Sequence, residues 1–162
     1  MSRRVVTIGV YGFTLDGFLA ALRSGDVRLL LDVRQRRGVR GPEYAWANSK
    51  RLQAALTEAE IEYRHLPELA PTTELRQLQY AEDDRQGVGK RSRTELAPAY
   101  RKRYVADILD KADLDTVVAS LPEDGTAALL CVERDPEACH RSLVAERLAS
   151  DHGIEVTHLR PA

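Results

Sequence analysis

Reactive side-chain types are concentrated in one short stretch of this sequence. An apolar segment, A-A-L-L-C-V, continues into the polar run E-R-D-P-E-A-C-H and then into R-S-L-V-A-E-R-L, which has the pattern of a helix. These segments contain both cysteines of the chain and several ionisable groups, namely Cys131, Glu133, Asp135, Cys139, His140 and Arg141. Because unpaired N–H groups and the positive end of a helix dipole meet at a strand–loop–helix junction, the stretch predicts an anion-binding site.

Five of these side chains are candidates for binding or chemistry. Arg141, at the start of the helix, can hold a phosphate or a carboxylate with two parallel hydrogen bonds. Glu133 is a candidate general acid or base, Cys131 a candidate nucleophile, and His140 a candidate for proton transfer. Cys139 is a second thiol that can contact a substrate or pack beneath the helix. Structural alternatives stay open: Glu133 can pair with Arg34 or Arg141, Cys131 can be a buried strand residue, and His140 can bond to a carbonyl group.

The two cysteines are also considered as metal ligands. Together with His140, and with either His65 or Glu133, they offer a soft ligand set. The spacing contains neither a C-x-x-C pair nor an H-E-x-x-H motif, so no metal site is predicted. Since the sequence favours a reducing compartment, Cys131 and Cys139 are predicted to be free thiols.

A second group of residues combines positive charge with an aromatic ring. Arg36, Arg37 and Arg40 precede Trp46 in a segment that contains glycine and proline. Cations that contact phosphates, beside a ring on which a base can stack, are typical of surfaces that bind nucleotides or single strands. The sequence therefore predicts a nucleic-acid contact at these four residues, with local aromatic packing as the structural alternative.

Length and composition limit the class of protein. A chain of 162 residues, 43% of them hydrophobic and 30% charged, is sufficient for one soluble domain with its own core, so residues 1–162 are predicted to form a single domain. The net charge of −1 argues against a coat of nucleic acid over the whole surface. No apolar run reaches the roughly 20 residues of a membrane helix, and the run at residues 5–9 is too short for an export signal. We therefore expect a cytoplasmic protein with no membrane contact.

Alternating strands and helices must position the candidate residues. Strands are predicted at residues 5–9, 27–33, 61–66, 127–132 and 154–159, with helical patterns between them. Such alternation predicts an α/β fold, a three-layer sandwich with a mostly parallel sheet of about five strands and a helical insertion. Residues 67–93 are predicted to be a lid or an insertion, and residues 94–112 one helix with Pro98 in its first turn.

The carboxyl ends of parallel strands lie at one edge of a sheet, where ligands gather. Polar residues follow the second, third and fourth predicted strands, so distant parts of the chain are expected to meet there. The residues predicted to bind substrate are Asp32, Arg34, His65, Glu68, Cys139 and Arg141.

Four segments of the chain resemble one known family. In order they are T-I-G-V-Y-G-F-T-L-D-G-F, L-D-V-R, I-E-Y-R-H-L-P-E-L-A and L-L-C-V-E-R-D-P-E-A-C-H-R-S-L-V-A. The last contains the pattern C-x-E-x-x-P-x-x-C-H-R, and together the segments resemble the domain-of-unknown-function family DUF488. The resemblance implies a compact α/β fold and no established reaction. Many members have a serine where this chain has Gly12, so a hydroxyl at that position is lost here.

These patterns favour an enzyme with an anion pocket. The first hypothesis is a hydrolase that acts on a phosphate-bearing substrate, either a nucleotide or a nucleic acid. In it Arg34 and Arg141 hold the anion, and Glu133 is the general acid or base. Two alternatives stay open, a non-catalytic nucleotide- or nucleic-acid-binding module and a thiol or metal-dependent protein. No particular cofactor or oligomeric state is predicted.

Overall fold

Five parallel strands form the centre of the protein. The structure is a computed structural model that describes residues 3–89 and 92–161. The strands are β1 (Arg4–Ile8), β2 (Val27–Asp32), β3 (Glu62–His65), β4 (Thr126–Leu130) and β5 (Glu155–His158). Their order in the sheet is β3-β2-β4-β1-β5, and every neighbouring pair is parallel. The predicted α/β fold with a parallel sheet is confirmed, and the carboxyl ends of β2 and β4 lie side by side.

Helices cover both faces of this sheet. The helices are α1 (Leu15–Ser24), α2 (Ser49–Glu58), α3 (Thr73–Gln86), α4 (Pro98–Asp107), α5 (Leu114–Ala119) and α6 (Arg141–His152). Apolar residues of α1 and α2 share one buried cluster with one face of the sheet, and those of α3 to α6 share a second cluster with the other face. The result is the predicted three-layer sandwich. Within residues 3–89 and 92–161, no helix has both the length and the apolar character needed to cross a bilayer.

The apolar content of each strand matches its position in the sheet. All five residues of the central strand β4 (T-A-A-L-L) are buried, because helices cover both of its faces. The edge strands β3 and β5 instead consist largely of exposed or half-buried polar residues. Strand position could therefore be inferred from composition, since only a central strand requires a continuous apolar run.

The helix predicted over residues 94–112 is shorter in the structure. It begins at Pro98, whose ring nitrogen has no hydrogen to donate, and Ala97 before it has an extended backbone. It ends at Asp107, and residues Leu109–Lys111 form a separate turn of 3-10 helix. The apolar spacing continues through this break, so periodicity alone overestimated the length of the helix.

The segment predicted to be a lid or an insertion contains α3 and the loop after it. Leu69 and Leu75 are fully buried in the apolar cluster that also contains residues of α4 and α6. Helix α3 is therefore part of the helical layer on this face of the sheet. Lys90 and Arg91, in the loop that follows, lie outside the described residues.

The loops after β1 and β4 approach each other very closely at Gly9. A Cβ atom on Gly9 would lie 1.9 Å from the carbonyl oxygen of Glu133 and 3.3 Å from an Arg141 nitrogen. The next two backbone N–H groups, of Val10 and Tyr11, both donate to the carbonyl of Val132 at 2.9 and 3.0 Å. Only glycine permits this approach, which fixes the start of the loop that carries the cysteines.

We expect the substitution Gly9→Ala to lower the free energy of unfolding by about 2–3 kcal/mol, because the added methyl group overlaps backbone atoms that cannot move aside. Gly25→Ala is the matched control, since a Cβ there meets nothing closer than 3.6 Å and the backbone φ of −86° suits alanine. The control is expected to change stability by less than about 1 kcal/mol. Urea denaturation measures both, and equal effects would contradict the assigned close approach.

Candidate functional site

A cavity of about 670 Å³ opens at the carboxyl edge of the sheet. Its walls come from the loop after β2, from α3 and α4 with the loop between them, and from the loop between β4 and α6. The described side chains in its lining include Arg34, Arg36, Arg40, Arg76, Tyr80, Arg93, Tyr100, Cys131, Glu133, Cys139 and His140. Segments that are far apart in the sequence therefore meet at this edge.

Cys131 and Cys139 form a disulfide in the wall of this cavity. Their Cα atoms are 6.9 Å apart, and both residues are buried. The loop returns on itself because residues Pro136–Ala138 form a turn of 3-10 helix, which brings Cys139 beside the end of β4. The expectation of two free thiols is therefore wrong, since neither cysteine is free in the described structure.

His140 faces both sulfur atoms of the disulfide. Its Nε2 lies 2.7 Å from the carbonyl oxygen of Val33, while its Nδ1 lies 3.5 Å from the Cys131 sulfur and 3.7 Å from the Cys139 sulfur. A carbonyl oxygen only accepts hydrogen bonds, so Nε2 carries the proton of the neutral ring and Nδ1 presents its lone pair. His140 thus bonds to a carbonyl, as one sequence alternative predicted, and also presents a proton acceptor to the sulfur atoms.

Glu133 is held in position from two sides. Its carboxylate oxygen Oε1 accepts a hydrogen bond from Arg93 at 2.6 Å, and its backbone oxygen accepts one from Arg141 at 2.7 Å. The second carboxylate oxygen, Oε2, lies 3.3 Å from the Cys131 sulfur. Pairing with an arginine was the structural alternative for Glu133, but the partner of its carboxylate is Arg93 rather than Arg34 or Arg141.

Arg93 connects this loop to the helical layer. Its guanidinium group also donates to Asp83 at 2.7 Å and to the carbonyl of Ala138 at 3.2 Å. Gln79 completes the network, because its amide donates to Asp83 and accepts from the backbone N–H of Ala97. All these side chains are buried, so one arginine is shared between two buried carboxylates. Sequence reasoning assigned neither Asp83 nor Gln79 to the site and did not identify Arg93 as the partner of Glu133.

Asp32 and Arg34 form a second buried ion pair. Two nitrogens of Arg34 donate to the two carboxylate oxygens of Asp32 at 2.9 and 2.8 Å, and a third donates to the carbonyl of Ala47. The hydroxyl of Tyr63 also donates to Asp32, at 2.5 Å, and burial raises the pKa of this tyrosine. Arg34 lines the cavity with its charge already paired, so its main contacts hold the loop after β2 against the sheet.

Arg141 does not line the cavity. Its guanidinium group is fully buried and donates to the carbonyl oxygens of Glu133 and Arg134 and to the Thr7 hydroxyl. Burial lowers its pKa to about 10, although the charge of Glu133 acts in the opposite direction. The predicted clamp for a substrate anion is therefore a residue that closes a loop, and we do not assign Arg141 to substrate binding.

Three other residues predicted to bind substrate also lie outside the cavity lining. Asp32 is buried in its ion pair, and His65 bonds through Nε2 to the carbonyl of Arg34 at 3.0 Å. Glu68 is exposed in the 3-10 turn Pro67–Leu69 that follows β3. Of that predicted set, only Arg34 and Cys139 belong to the lining.

The residues predicted to contact nucleic acid divide into two pairs. Arg36 and Arg40 line the cavity, whereas Arg37 lies 3.4 Å from the Tyr63 hydroxyl and Trp46 packs against Phe18 with ring centroids 5.0 Å apart. The indole nitrogen of Trp46 is buried with no hydrogen-bond partner among the described residues. Trp46 is therefore part of the apolar packing, as the structural alternative predicted, and offers no open stacking face to the cavity.

Two further residues of the cavity lining were missed by sequence reasoning. Arg76 donates to the side chains of Gln35 and Tyr80, and no carboxylate pairs with it in the described part of the chain. Tyr100 is buried at the base of the cavity, and burial followed by the charge of Glu133 raises its pKa. Both residues lie on helices, and nothing in their spacing distinguishes them from ordinary helix positions.

Comparisons with known proteins identify a family and no activity. The profile of the family described as "Domain of unknown function DUF488" matches residues 14–148. No curated protein matches the chain. The crystal structure of a conserved hypothetical protein from Aeropyrum pernix K1 aligns with 16% identity and a TM-score of 0.42. That alignment covers 99% of this chain and 39% of the other, so this chain spans well under half of its length.

We expect Arg93→Met to destabilise the protein by about 3–5 kcal/mol, because it leaves the buried carboxylates of Asp83 and Glu133 without their shared cation. Arg85→Met is the control, since Arg85 is exposed on α3 and its ion pair among the described residues is with Glu82 at the surface. Such a surface pair contributes at most about 1 kcal/mol. Denaturant titration compares the two variants, and a small effect at Arg93 would contradict the shared ion pair.

His158 gives the stability of the fold a dependence on pH. Its Nδ1 lies 2.7 Å from the Thr7 hydroxyl, and burial, followed by the charge of Arg141, lowers its pKa below the usual 6.5. Below pH 6.5 the unfolded chain therefore binds a proton that the folded chain does not. We expect the free energy of unfolding to decrease as the pH falls from about 6.5, and to level off below the pKa of the folded state. Denaturation over this range should show a smaller decrease in His158→Gln, and an unchanged decrease would refute the assignment.

Proposed function

The chain belongs to the DUF488 family, whose description names no activity, and from the geometry of its own site we propose that it is a thiol–disulfide oxidoreductase with a cationic substrate cavity. One observation carries this proposal. The Cys131–Cys139 disulfide lines a cavity large enough for a small molecule, and the lone pair of His140 Nδ1 faces both sulfurs. In the reducing compartment that the sequence favours, lasting structural disulfides are rare and redox-active ones are the usual kind.

His140 supplies the proton transfers that disulfide exchange requires. An incoming thiol gives its proton to Nδ1, and its thiolate attacks one sulfur of the disulfide, so that a mixed disulfide forms as the protein S–S bond breaks. The departing sulfur leaves as a thiolate, which the imidazolium stabilises and then protonates. A second thiol attacks the mixed disulfide and releases the oxidised product. Two electrons pass from two substrate thiols to the protein, which finishes with two thiols.

The charge of the cavity supports an anionic substrate. Arg36, Arg40 and Arg76 contribute side chains to its lining, and Glu133 is the one carboxylate there among the described residues. The charge of Glu133 is already paired with Arg93. The lining is therefore net positive, which favours a small thiol that carries a carboxylate or a phosphate group. The phosphate-bearing ligand expected from the sequence is compatible with this proposal if the ligand also carries a thiol.

Hydrolysis with Glu133 as general acid or base receives less support. One carboxylate oxygen of Glu133 is occupied by Arg93, and the other faces a sulfur instead of open cavity. Hydrolysis therefore stays a prediction from the sequence. The second candidate function is non-catalytic binding of a phosphate-bearing molecule such as a nucleotide, which the same net positive lining favours and which requires no disulfide.

We expect the oxidised protein to be reduced faster by 3-mercaptopropionate, which is anionic, than by the neutral thiol 2-mercaptoethanol, after correction for the thiolate fraction of each reagent. Arg36→Gln should slow the anionic reagent by about three- to tenfold and leave the neutral one unchanged. Arg51→Gln, an exposed arginine of α2 outside the cavity lining, should alter neither rate. Alkylation followed by mass spectrometry counts the thiols that form.

Two results would count against the oxidoreductase proposal. One is a disulfide that neither thiol reduces in the folded protein. The other is equal rates for both reagents in the wild-type chain and in Arg36→Gln. If a nucleotide raises the melting temperature of the wild-type chain and of a Cys131→Ser/Cys139→Ser variant alike, while no thiol exchange is measured, the binding-module alternative replaces it.

A further inference from the structure

We infer that the reduced form of this site binds one zinc ion through the sulfurs of Cys131 and Cys139, Nδ1 of His140 and Oε2 of Glu133. The inference builds on the proposed function in one respect only, since the disulfide must be reducible. It adds a metal ligand set to a site whose chemistry otherwise involves thiols alone. The sequence predicted no metal, because the spacing of these residues matches no standard zinc motif.

Several distances between the donor atoms fit a tetrahedral ion. Zinc bonds of about 2.0–2.3 Å at tetrahedral angles separate neighbouring ligand atoms by about 3.3–3.8 Å. His140 Nδ1 lies 3.5 and 3.7 Å from the two sulfurs, and Glu133 Oε2 lies 3.3 Å from the Cys131 sulfur. The two sulfurs and Nδ1 all lie within 4.8 Å of one another, whereas Glu133 Oε2 is not within that distance of all three atoms and must turn toward them to complete the tetrahedron. Once the S–S bond is broken, rotation about the Cα–Cβ bonds can bring the two sulfurs to the same spacing.

Two of the four ligands are already oriented by bonds to their remote atoms. The hydrogen bond from Nε2 of His140 to the Val33 carbonyl fixes the ring with Nδ1 toward the sulfurs, an arrangement that metal-binding histidines commonly have. Arg93 in the same way holds Oε1 of Glu133 and leaves Oε2 for the ion. These bonds exist without a metal, so His140 requires little reorganisation to bind the ion, while Glu133 must turn its Oε2 toward it.

The surroundings also match the charge of a zinc complex. Two thiolates, one carboxylate and Zn²⁺ carry one net negative charge in a buried position. Arg93 and Arg141 are buried guanidinium groups, and both donate to Glu133, one to its carboxylate and the other to its carbonyl oxygen. Mixed sulfur and imidazole ligands favour zinc over the hard cations Mg²⁺ and Ca²⁺.

The redox state of the cysteines would then control the metal. Reduction of the disulfide takes two electrons and two protons from two thiol molecules, and zinc binding releases two protons from the new cysteine thiols. In the reverse exchange a small-molecule disulfide accepts two electrons from the two thiolates and leaves as two thiols, so the Cys131–Cys139 bond re-forms, two ligands are lost and the ion is released. Because the bound ion occupies both sulfurs, zinc inhibits the thiol exchange proposed above, which is a form of regulation at the same site.

Metal content tests the inference on the full chain. Protein is reduced with a phosphine, desalted without oxygen, incubated with zinc and dialysed. One zinc ion should remain per reduced chain, and none per oxidised chain. Titration of the reduced chain with Co²⁺ should give the sulfur-to-cobalt absorption and the strong visible bands of a tetrahedral site.

Variants separate the proposed ligands from other binding groups. Cys139→Ser should lose the bound ion, and Glu133→Gln should weaken binding by at least about tenfold while its two thiols remain. His65→Gln is the matched control, because His65 also bonds to a backbone carbonyl but lies outside the cavity lining; it should bind zinc like the wild-type chain. Circular dichroism confirms that each variant is folded.

Retention of zinc by the oxidised chain or by Cys139→Ser would overturn the inference, as would a reduced chain that binds no cobalt. Thiol exchange measured in the presence of a chelator separates this outcome from failure of the proposed function. A chain that exchanges thiols but binds no metal refutes zinc binding alone. A chain that binds zinc when reduced by the phosphine but does not exchange with 3-mercaptopropionate refutes the oxidoreductase proposal alone.

Discussion

A buried guanidinium group holds the loop between β4 and α6 in the shape on which the site depends. Arg141 bonds to the carbonyl oxygens of Glu133 and Arg134, which lie at the start of the loop, while its own backbone begins α6 at the loop's end. The contact at Gly9 packs the chain after β1 against the same carbonyl. The loop is therefore fixed at both ends, and Cys139 and His140 must lie beside the carboxyl end of β4.

Glu133 connects this fixed loop to the reactive sulfur atoms. Arg141 fixes its backbone and Arg93 fixes one oxygen of its carboxylate, so the second oxygen is directed to the Cys131 sulfur. Arg93 also bonds to Asp83 on α3, which joins the helical layer to the loop. Burying a carboxylate without such partners, or a guanidinium group without such acceptors, lowers the stability of the folded state. The two arginines and the two carboxylates therefore depend on one another, although they come from separate parts of the chain.

The sequence was sufficient to predict the strands of the sheet and one half of the residues of the site. Apolar runs separated by helical patterns located all five strands, and a single loop already contained Cys131, Glu133 and His140. The remaining half depends on contacts that sequence separation hides, since Arg93 is 40 positions from Glu133. Spacing also could not distinguish an arginine that binds a ligand from one that binds carbonyl oxygens, because the guanidinium group suits both. For that reason the predicted role of Arg141 was wrong. The pairing of the two cysteines was missed because the 3-10 turn between them produces no periodic pattern in the sequence.

In the proposed function, different parts of the cavity provide the binding charges and the reactive atoms. The charges that favour an anion come from the loop after β2 and from α3, whereas the sulfur and imidazole atoms come from the loop after β4. Arg36 and Arg76 have no carboxylate partner among the described residues, so their charge is available to a ligand whatever the redox state of the cysteines. Arg93, in contrast, is neutralised by its partners and orients Glu133. A substitution at Arg36 should therefore alter the preference for substrate without altering the disulfide, while one at Arg93 should disturb the positions of the reactive atoms themselves.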